Sequence, residues 1–312
     1  MSEPAHRQLD AVVIGAGFGG MYALHLLREL GLRVRVFDDA SSVGGTWAWN
    51  RYPGARVDFP GGPYYCYTFS QELVDEWDWP ETQPDQPAVL AYLNYVADRF
   101  DLRRDISLDT RVAAARYDEA AQCWEVDLAT GERVSAQFLV CATGALSAAN
   151  RPNIPGLDRF EGECYHTGLW PQQPVRFAGK RVGVIGTGSS GVQAIPVIAR
   201  EAAHLSVFQR TPQYAIPARN RPLDAAFKRQ TREQWPQLRA TMLETLAGTP
   251  FPSPTRSALD DSPAQRTAAY EEHWQRGGLS IAFGTYGDLL SNAEANETLC
   301  EFVRDKIQQT VR

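Results

Sequence analysis

The chain has 312 residues, 44% of them apolar, and a formal net charge of −6. The length favours two domains, the apolar content is ordinary for a globular protein, and the acidic balance argues against a nucleic-acid surface, since no stretch concentrates Lys and Arg. The opening MSEPAHRQLD has no apolar signal core, and no apolar run is long enough to span a bilayer, so a cytoplasmic protein without a membrane partner is expected. Five cysteines (Cys66, Cys123, Cys141, Cys164, Cys300), an odd number with no C-x-x-C pair, speak against a disulfide framework or a bound metal and for reduced thiols. Cys66 and Cys141 lie among apolar or aromatic neighbours and are expected to be packing residues.

A buried strand is predicted at residues 11–14, followed at once by the glycine turn Gly15-Ala-Gly17-Phe-Gly19-Gly20. In such a turn Gly15 permits the tight bend, Gly17 lets a pyrophosphate approach, and Gly20 lets the helix pack on the strand. The helix is predicted over residues 21–30, with Tyr22, Leu26, Leu27 and Leu30 on its buried side and Gly31 as its stop. A second strand at 34–37 ends in Asp38, where the ribose-binding acid of this motif is expected; a carboxylate there would repel a 2′-phosphate.

Residues 44–58, GGTWAWNRYPGARVD, mix two glycines and aromatics with Asn50, Arg51, Arg56 and Asp58, and read as a shaped loop over a ligand rather than a helix or strand. Tyr64, Tyr65, Tyr67 and Phe69 continue the aromatic lining. A helix is predicted over 86–100. Strands follow at 110–117 and 124–128, with turns at 118–122 and 127–132. A buried strand at 138–142 closes on Thr143-Gly144.

A second buried strand, residues 181–185, leads into Gly186-Thr187-Gly188-Ser189-Ser190-Gly191 and a helix over 192–200. A helix N-terminus after such a turn suits a pyrophosphate. The next strand, 205–208, ends in Gln209-Arg210-Thr211, with no acid where Asp38 stands in the first unit. A guanidinium fork beside a hydroxyl suits a 2′-phosphate. This contrast assigns FAD to the first turn and NADPH to the second. Beyond Pro217, polar helices are predicted over 225–246, interrupted at Pro236, and over 263–276. A last helix, capped by Ser291 or Asn292, carries Leu299, Phe302, Val303 and Ile307 on one stripe. Trp235, Trp274, Phe283 and Tyr286 are expected to form the core of this helical part.

Between the two glycine turns lies FEGECYHTGLWP, residues 160–171, in which Phe160, Gly162, His166, Trp170 and Pro171 spell F-x-G-x-x-x-H-T-x-x-W-P. This pattern resembles the fingerprint of type I Baeyer–Villiger monooxygenases, especially those acting on aryl and cyclic ketones. Residues 44–58 resemble a second stretch of that family, and the Trp-Pro ending sets it apart from the flavin N- and S-oxygenases. The resemblance implies an enzyme in which NADPH reduces FAD, O2 adds at the flavin C4a position, and a ketone becomes an ester or lactone. It also implies residue roles. Asp38, Gly45, Thr46, Trp47, Ala48, Trp49, Tyr65 and Val112 would serve FAD. Arg56, Val57, Thr187, Gly188, Ser189, Ser190, Gly191, Val192, Gln193, Arg210 and Thr211 would serve the nicotinamide nucleotide. Asp58 matches the acid that orients a catalytic arginine, and His166 matches a linker histidine that couples domain motion.

The expected fold class is α/β: two Rossmann-like dinucleotide-binding domains plus a small helical subdomain, both Rossmann domains incomplete at the C-terminal side. The expected boundaries are 1–147 for the FAD domain, 148–178 for the linker, 179–220 for the first part of the NADP domain and 221–312 for the helical part. By resemblance, the family's chains continue past this point through a catalytic Lys-Arg pair. A truncated or partial sequence, without activity, is therefore expected. A ketone and O2 would be the small-molecule partners and a monomer the favoured state. Two rival readings stand beside this one: a flavin N- or S-monooxygenase, and a nucleotide-binding fragment without turnover.

Overall fold

The computed structural model describes residues 7–59, 65–245 and 248–311. Tyr64, Leu246 and Arg312, which fall within sequence expectations, lie outside the described residues. The chain forms two compact units: Met1–Pro53 with Gln86–Arg176, and Gly54–Asp85 with Phe177–Arg312.

The first unit is built on strands β1 (Arg7–Ile14), β2 (Val34–Phe37), β3 (Ile106–Ser107), β4 (Val112–Asp118), β5 (Cys123–Leu128) and β6 (Arg133–Cys141). They make one sheet in the order β3-β2-β1-β6-β5-β4. The β3-β2-β1-β6 half is parallel, with Ile14 beside Phe37 on one side and Cys141 on the other. β5 and β4 continue it antiparallel. The turns predicted between them carry Gln122 and Gly131 in the left-handed region. Val12, Phe37, Val126, Leu128, Val134 and Ala136 form a core cluster, with Val112 packed against it. Helices α1 (Phe18–Glu29), α2 (Thr46–Trp49) and α4 (Gln86–Arg99) belong to this unit, and α1 packs on β1 and β2.

Several expectations need correction here. Helix α1 begins at Phe18, inside the glycine turn, with Gly17 as its N-cap. Its buried residues are Gly20, Met21 and Leu24, while Tyr22, Leu26 and Leu30 are 38%, 41% and 74% exposed. The close approach of Gly20 to the carbonyl of Gly15 dictates which side of the helix meets the sheet, and the 22-26-30 stripe lies on another side at about 100° per residue. Residues 46–49 are a short helix, not a loop, capped by Gly45 at φ +51. β6 is not a buried strand throughout: Phe138 and Cys141 are exposed, so Cys141 is not a packing residue. A strand is buried on both faces only when layers cover both; Phe138 and Cys141, three positions apart, point to opposite faces, so neither face is fully covered at this end of β6 among the described residues. Cys66 does pack: it is buried and its Sγ takes the indole N–H of Trp79 at 3.3 Å.

In the second unit, β7 (Arg181–Ile185) and β8 (His204–Phe208) form a parallel pair with Ile185 beside Phe208. Helix α5 (Ser189–Ala199) packs on both strands through Ala194 and Ile198. β7 alternates exposed and half-buried residues, and Ile185 is exposed, so the expected buried strand is half-buried on one face and exposed on the other. Helices α3 (Gln71–Glu76), α6 (Ala225–Glu244), α7 (Pro263–Arg276), α8 (Ser280–Gly284) and α9 (Ala293–Thr310) complete the unit. Pro236 does not interrupt α6. Tertiary anchors flank the lost N–H: Trp235 is buried, Arg232 donates to the Val74 carbonyl at 3.2 Å, and Arg239 donates to the Thr68 carbonyl at 2.5 Å.

Helix α7 opens with a capping box between Ser262 and Gln265, and α9 with Asn292 accepting from the N–H groups of Glu294 and Ala295. Trp274, Tyr286, Leu299 and Val303 share one core cluster, with Phe302 and Ile307 against it. Trp235 and Phe283 lie outside that core: α6 packs on α3, and the Phe283 ring meets Phe59 at 6.1 Å.

Candidate functional site

In the first unit, the glycine turn is as tight as its sequence requires. Gly15 has φ +104, and a Cβ there would lie 2.5 Å from the Ala142 carbonyl oxygen. A Cβ on Gly20 would fall on the carbonyl of Gly15, which is how the helix comes down on the strand. Gly17 faces Gly45, whose own Cβ would lie 2.8 Å from the Gly17 Cα, so two glycines meet backbone to backbone. No side chain caps α1, which leaves its first-turn N–H groups to an anion. Asp38 is buried; its Oδ2 accepts the N–H of Ala16 at 2.5 Å and its Oδ1 the N–H of Ala40 at 2.8 Å. The end of β2 is thereby tied to the glycine turn. Ala48 is buried and Trp49 exposed, and the Trp47 carbonyl accepts from the Gln86 amide at 2.5 Å.

The motif at 160–171 also lies in the first unit. His166 Nδ1 accepts the N–H of Gly168 at 3.1 Å and so caps the short turn Thr167–Leu169. With Nδ1 accepting, the ring proton sits on Nε2, 3.3 Å from the Asn150 carbonyl oxygen. A Cβ on Gly162 would lie 2.7 Å from the exposed Phe160 ring, so the ring lies over this glycine. Trp170 packs against Tyr165 with ring centroids 5.5 Å apart.

The second unit holds the other glycine turn. Gly186 has φ +100, and a Cβ on Gly191 would stand 2.4 Å from the Gly186 carbonyl oxygen. A Cβ on Gly188 would meet nothing within 4 Å, so the space before the helix is open. Gly188 caps α5 without a side-chain hydrogen bond. Gln209, at the end of β8, donates to the Thr187 hydroxyl at 2.8 Å, which brings that strand end to the turn. Arg210 and Thr211 follow it, both exposed.

Asp58, Tyr65 and Arg56 belong to this second unit. Asp58 accepts from the Gln193 amide at 2.5 Å. Burial pushes its carboxyl above the usual range, while hydrogen bonds from Gln193 and Ser189 pull it back. Burial, with the Asp58 charge second, pushes the Tyr65 phenol up to about 12. Burial likewise pushes Tyr67 up. The Arg56 guanidinium lies 3.2 Å from Glu81, whose other oxygen takes the Asn220 amide at 2.7 Å. Glu81 and Gly54 are parts of this site that the sequence reading did not single out. The turn dipeptide Pro53-Gly54 is the signal that marks Gly54.

The described residues contain no group of three or more His, Cys, Asp or Glu placed to hold a metal, and no helix among them is long and apolar enough to cross a membrane.

The pyridine nucleotide-disulphide oxidoreductase family matches residues 9–235. A Baeyer-Villiger monooxygenase of Pseudooceanicola batsensis and a phenazine N-monooxygenase of Lysobacter antibioticus are each 44% identical over 305 residues, 97% of this chain and 56% of theirs. Cyclohexanone 1,2-monooxygenase of an Acinetobacter species is 42% identical over the same shares. A closed crystal structure of cyclohexanone monooxygenase matches with a TM-score of 0.93 at 43% identity, over 99% of this chain and 58% of that one. An oxidized steroid monooxygenase bound to NADP matches with a TM-score of 0.92 at 50% identity, over 97% and 58%. The chain thus spans a little over half the length of the relatives it matches. The resemblance carried by residues 160–171 is borne out, as is the α/β fold with Rossmann-like units: the chain belongs to the pyridine nucleotide-disulphide oxidoreductase family, and its relatives include Baeyer–Villiger and cyclohexanone monooxygenases.

Proposed function

We propose that this chain carries the cofactor-binding parts of a flavin-dependent monooxygenase that converts ketones to esters or lactones with NADPH and O2. The observation that carries the reading is the opposite character of two otherwise matching sites. One glycine turn is tied to a buried acid, Asp38, and the other is followed by Arg210 and Thr211.

Both cofactors fit the residues present. The turn 15–20, with Gly17 against Gly45 and α1 uncapped, would hold the FAD pyrophosphate, with Asp38 toward the ribose and residues 46–49 and Val112 toward the rest. The open space at Gly188 would hold the nicotinamide nucleotide's pyrophosphate, with Thr187 and Ser189 to Gln193 around it, and Arg210 and Thr211 on a 2′-phosphate. Arg56 and Val57 would border the same nucleotide. When bound, FAD reduced by NADPH supplies the electrons that activate O2. Asp58, held by Gln193 and Ser189, would orient a cationic donor toward the negative charge that develops on the substrate. His166 would keep the linker turn in shape through its Nδ1. The five free cysteines agree with a cytoplasmic setting, and a monomer acting on a free ketone completes the reading.

N-oxygenation is the second reading, because a relative named for it is as similar as one named for Baeyer–Villiger chemistry. The experiment is NADPH consumption by the FAD-loaded protein, extended to the length of its relatives, with a cyclic or aryl ketone, a phenazine and a sulfide, with products separated by chromatography. Ester or lactone from the ketone supports the first reading. An N-oxide without ester replaces it with the second. Failure to retain FAD at all overturns both.

A further inference from the structure

Residues 54–58 run along one side of α5 in register. Gly54 has φ +79, and a Cβ there would stand 2.5 Å from the Gln193 carbonyl oxygen and 3.0 Å from Val197 Cγ2. Two residues on, the Arg56 N–H donates to Gln193 Oε1 at 3.3 Å, and the Arg56 carbonyl accepts from Gln193 Nε2 at 3.1 Å. Two further on, Asp58 Oδ1 accepts from the same Nε2 at 2.5 Å, and its carboxylate is hydrogen-bonded by Ser189. Positions 189, 193 and 197 are one helical stripe, and positions 54, 56 and 58 are alternate residues of the segment that meets it. Gln193 sits at the centre of this seam: its oxygen takes one N–H, and its nitrogen serves two oxygens.

We propose that Gln193 is a positioning residue that registers Asp58 on the helix of the second glycine turn, so that a nucleotide bound at that turn is felt at Asp58. The proposal rests on the nucleotide reading of that turn. The physical link is short. Ser189, the first residue of α5, belongs to the turn whose uncapped N–H groups would take the pyrophosphate, and it also touches Asp58. Ordering that first turn therefore orders the carboxylate's partners. A group bridging a backbone amide and a carboxylate in this way cannot be replaced by an apolar side chain of similar size.

The test is hydrogen–deuterium exchange resolved at the amides of Arg56 and Val57, without and with saturating NADP+, in the wild-type chain, Gln193→Leu and Gln193→Glu. Leucine removes both donor and acceptor. Glutamate keeps an acceptor for the Arg56 N–H and removes the donor to Asp58. The Val57 N–H bonds the Pro84 carbonyl at 3.2 Å and serves as the internal control. In Gln193→Leu the Arg56 amide is expected to exchange about fivefold to tenfold faster, with Val57 changing less. In Gln193→Glu its protection is expected to return. NADP+ should slow Arg56 exchange in the wild type and lose that effect in Gln193→Leu, each compared at an NADP+ concentration that calorimetry shows to be saturating for that protein. Unchanged Arg56 exchange in Gln193→Leu overturns the proposal, as does a full NADP+ response in that variant. If Gln193→Leu does not fold, Gln193→Glu decides: Arg56 protected with a weakened NADP+ response supports the proposal, and a wild-type response overturns it. If the wild-type chain binds no NADP+, the nucleotide reading fails and the coupling with it, while the Arg56 comparison still decides the clamp.

Discussion

Asp38 and Ala16 are joined by a hydrogen bond of 2.5 Å, from the backbone N–H of the glycine turn to a carboxylate at the end of the neighbouring strand. The acid thus has a structural duty before any ribose arrives: it fixes the turn to β2, and its second oxygen fixes Ala40. Asp38→Ala is expected to leave two N–H groups without their acceptor in a buried place. It should cost about 1–3 kcal/mol for each group that water cannot reach. Urea melts would read this loss, and a titration with FAD would show weaker flavin binding in the same variant. A variant as stable as the wild type would mean that the turn is held by other contacts.

The two glycines of the second turn separate stability from binding. Gly191→Ala places a Cβ 2.4 Å from the Gly186 carbonyl oxygen, a rigid backbone atom, and α5 must move off the strand. Gly188→Ala meets nothing within 4 Å and sits at φ −71, a conformation alanine accepts. Thermal melting should therefore fall for Gly191→Ala and hold for Gly188→Ala. NADP+ affinity, measured by calorimetry, should fall for both. Undiminished affinity in Gly188→Ala would show that no phosphate approaches that position.

Arg210→Ala tests the choice between the two nicotinamide nucleotides. The loss in binding of NADPH should be on the order of 1.5–3 kcal/mol, the scale of a hydrogen bond to a charged group. Binding of NADH should barely change, since it offers no 2′-phosphate. Equal losses for both would remove Arg210 from phosphate recognition. The comparison is clean because Arg210 is exposed and follows the end of β8, outside any core cluster.

Asp58 makes stability depend on pH in a defined direction. Its folded-state carboxyl lies above the ordinary value of 3.8, chiefly through burial, so the folded state prefers the protonated form. The stability associated with this group is fully present below 3.8 and is lost as pH rises through the raised folded value. Asp58→Asn removes that loss and can still accept from Gln193. The variant's melting temperature, relative to the wild type, should therefore be higher at pH 7 than at pH 4. A difference that shrinks with rising pH would mean that the hydrogen bonds from Gln193 and Ser189 outweigh burial.

Much of this protein was legible along the chain because the deciding interactions are local. The glycine turns, the Asn292 cap and the Leu299–Val303 stripe span only a few residues each, and a few residues of sequence contain all the atoms involved. The motif at 160–171 is of the same kind: His166 caps a turn two residues away. Helix α6 shows the opposite limit. A proline that would break an isolated helix is carried through by anchors to Val74 and Thr68, more than 150 positions earlier.

The rest was decided by tertiary structure. The apolar residues of α1 fit several helical faces, and the contact of Gly20 with the Gly15 carbonyl chose the one that is buried. The apolar runs of β6 and β7 predict burial, but burial depends on what covers each face, and among the described residues the end of β6 is uncovered on both faces and β7 is open on one. The seam between residues 54–58 and α5 joins positions about 135 apart. The spacing of two along the segment and of four along the helix is written in the sequence. Their register is not, because it is set by where a backbone with no side chain at Gly54 can come to rest against Gln193 and Val197.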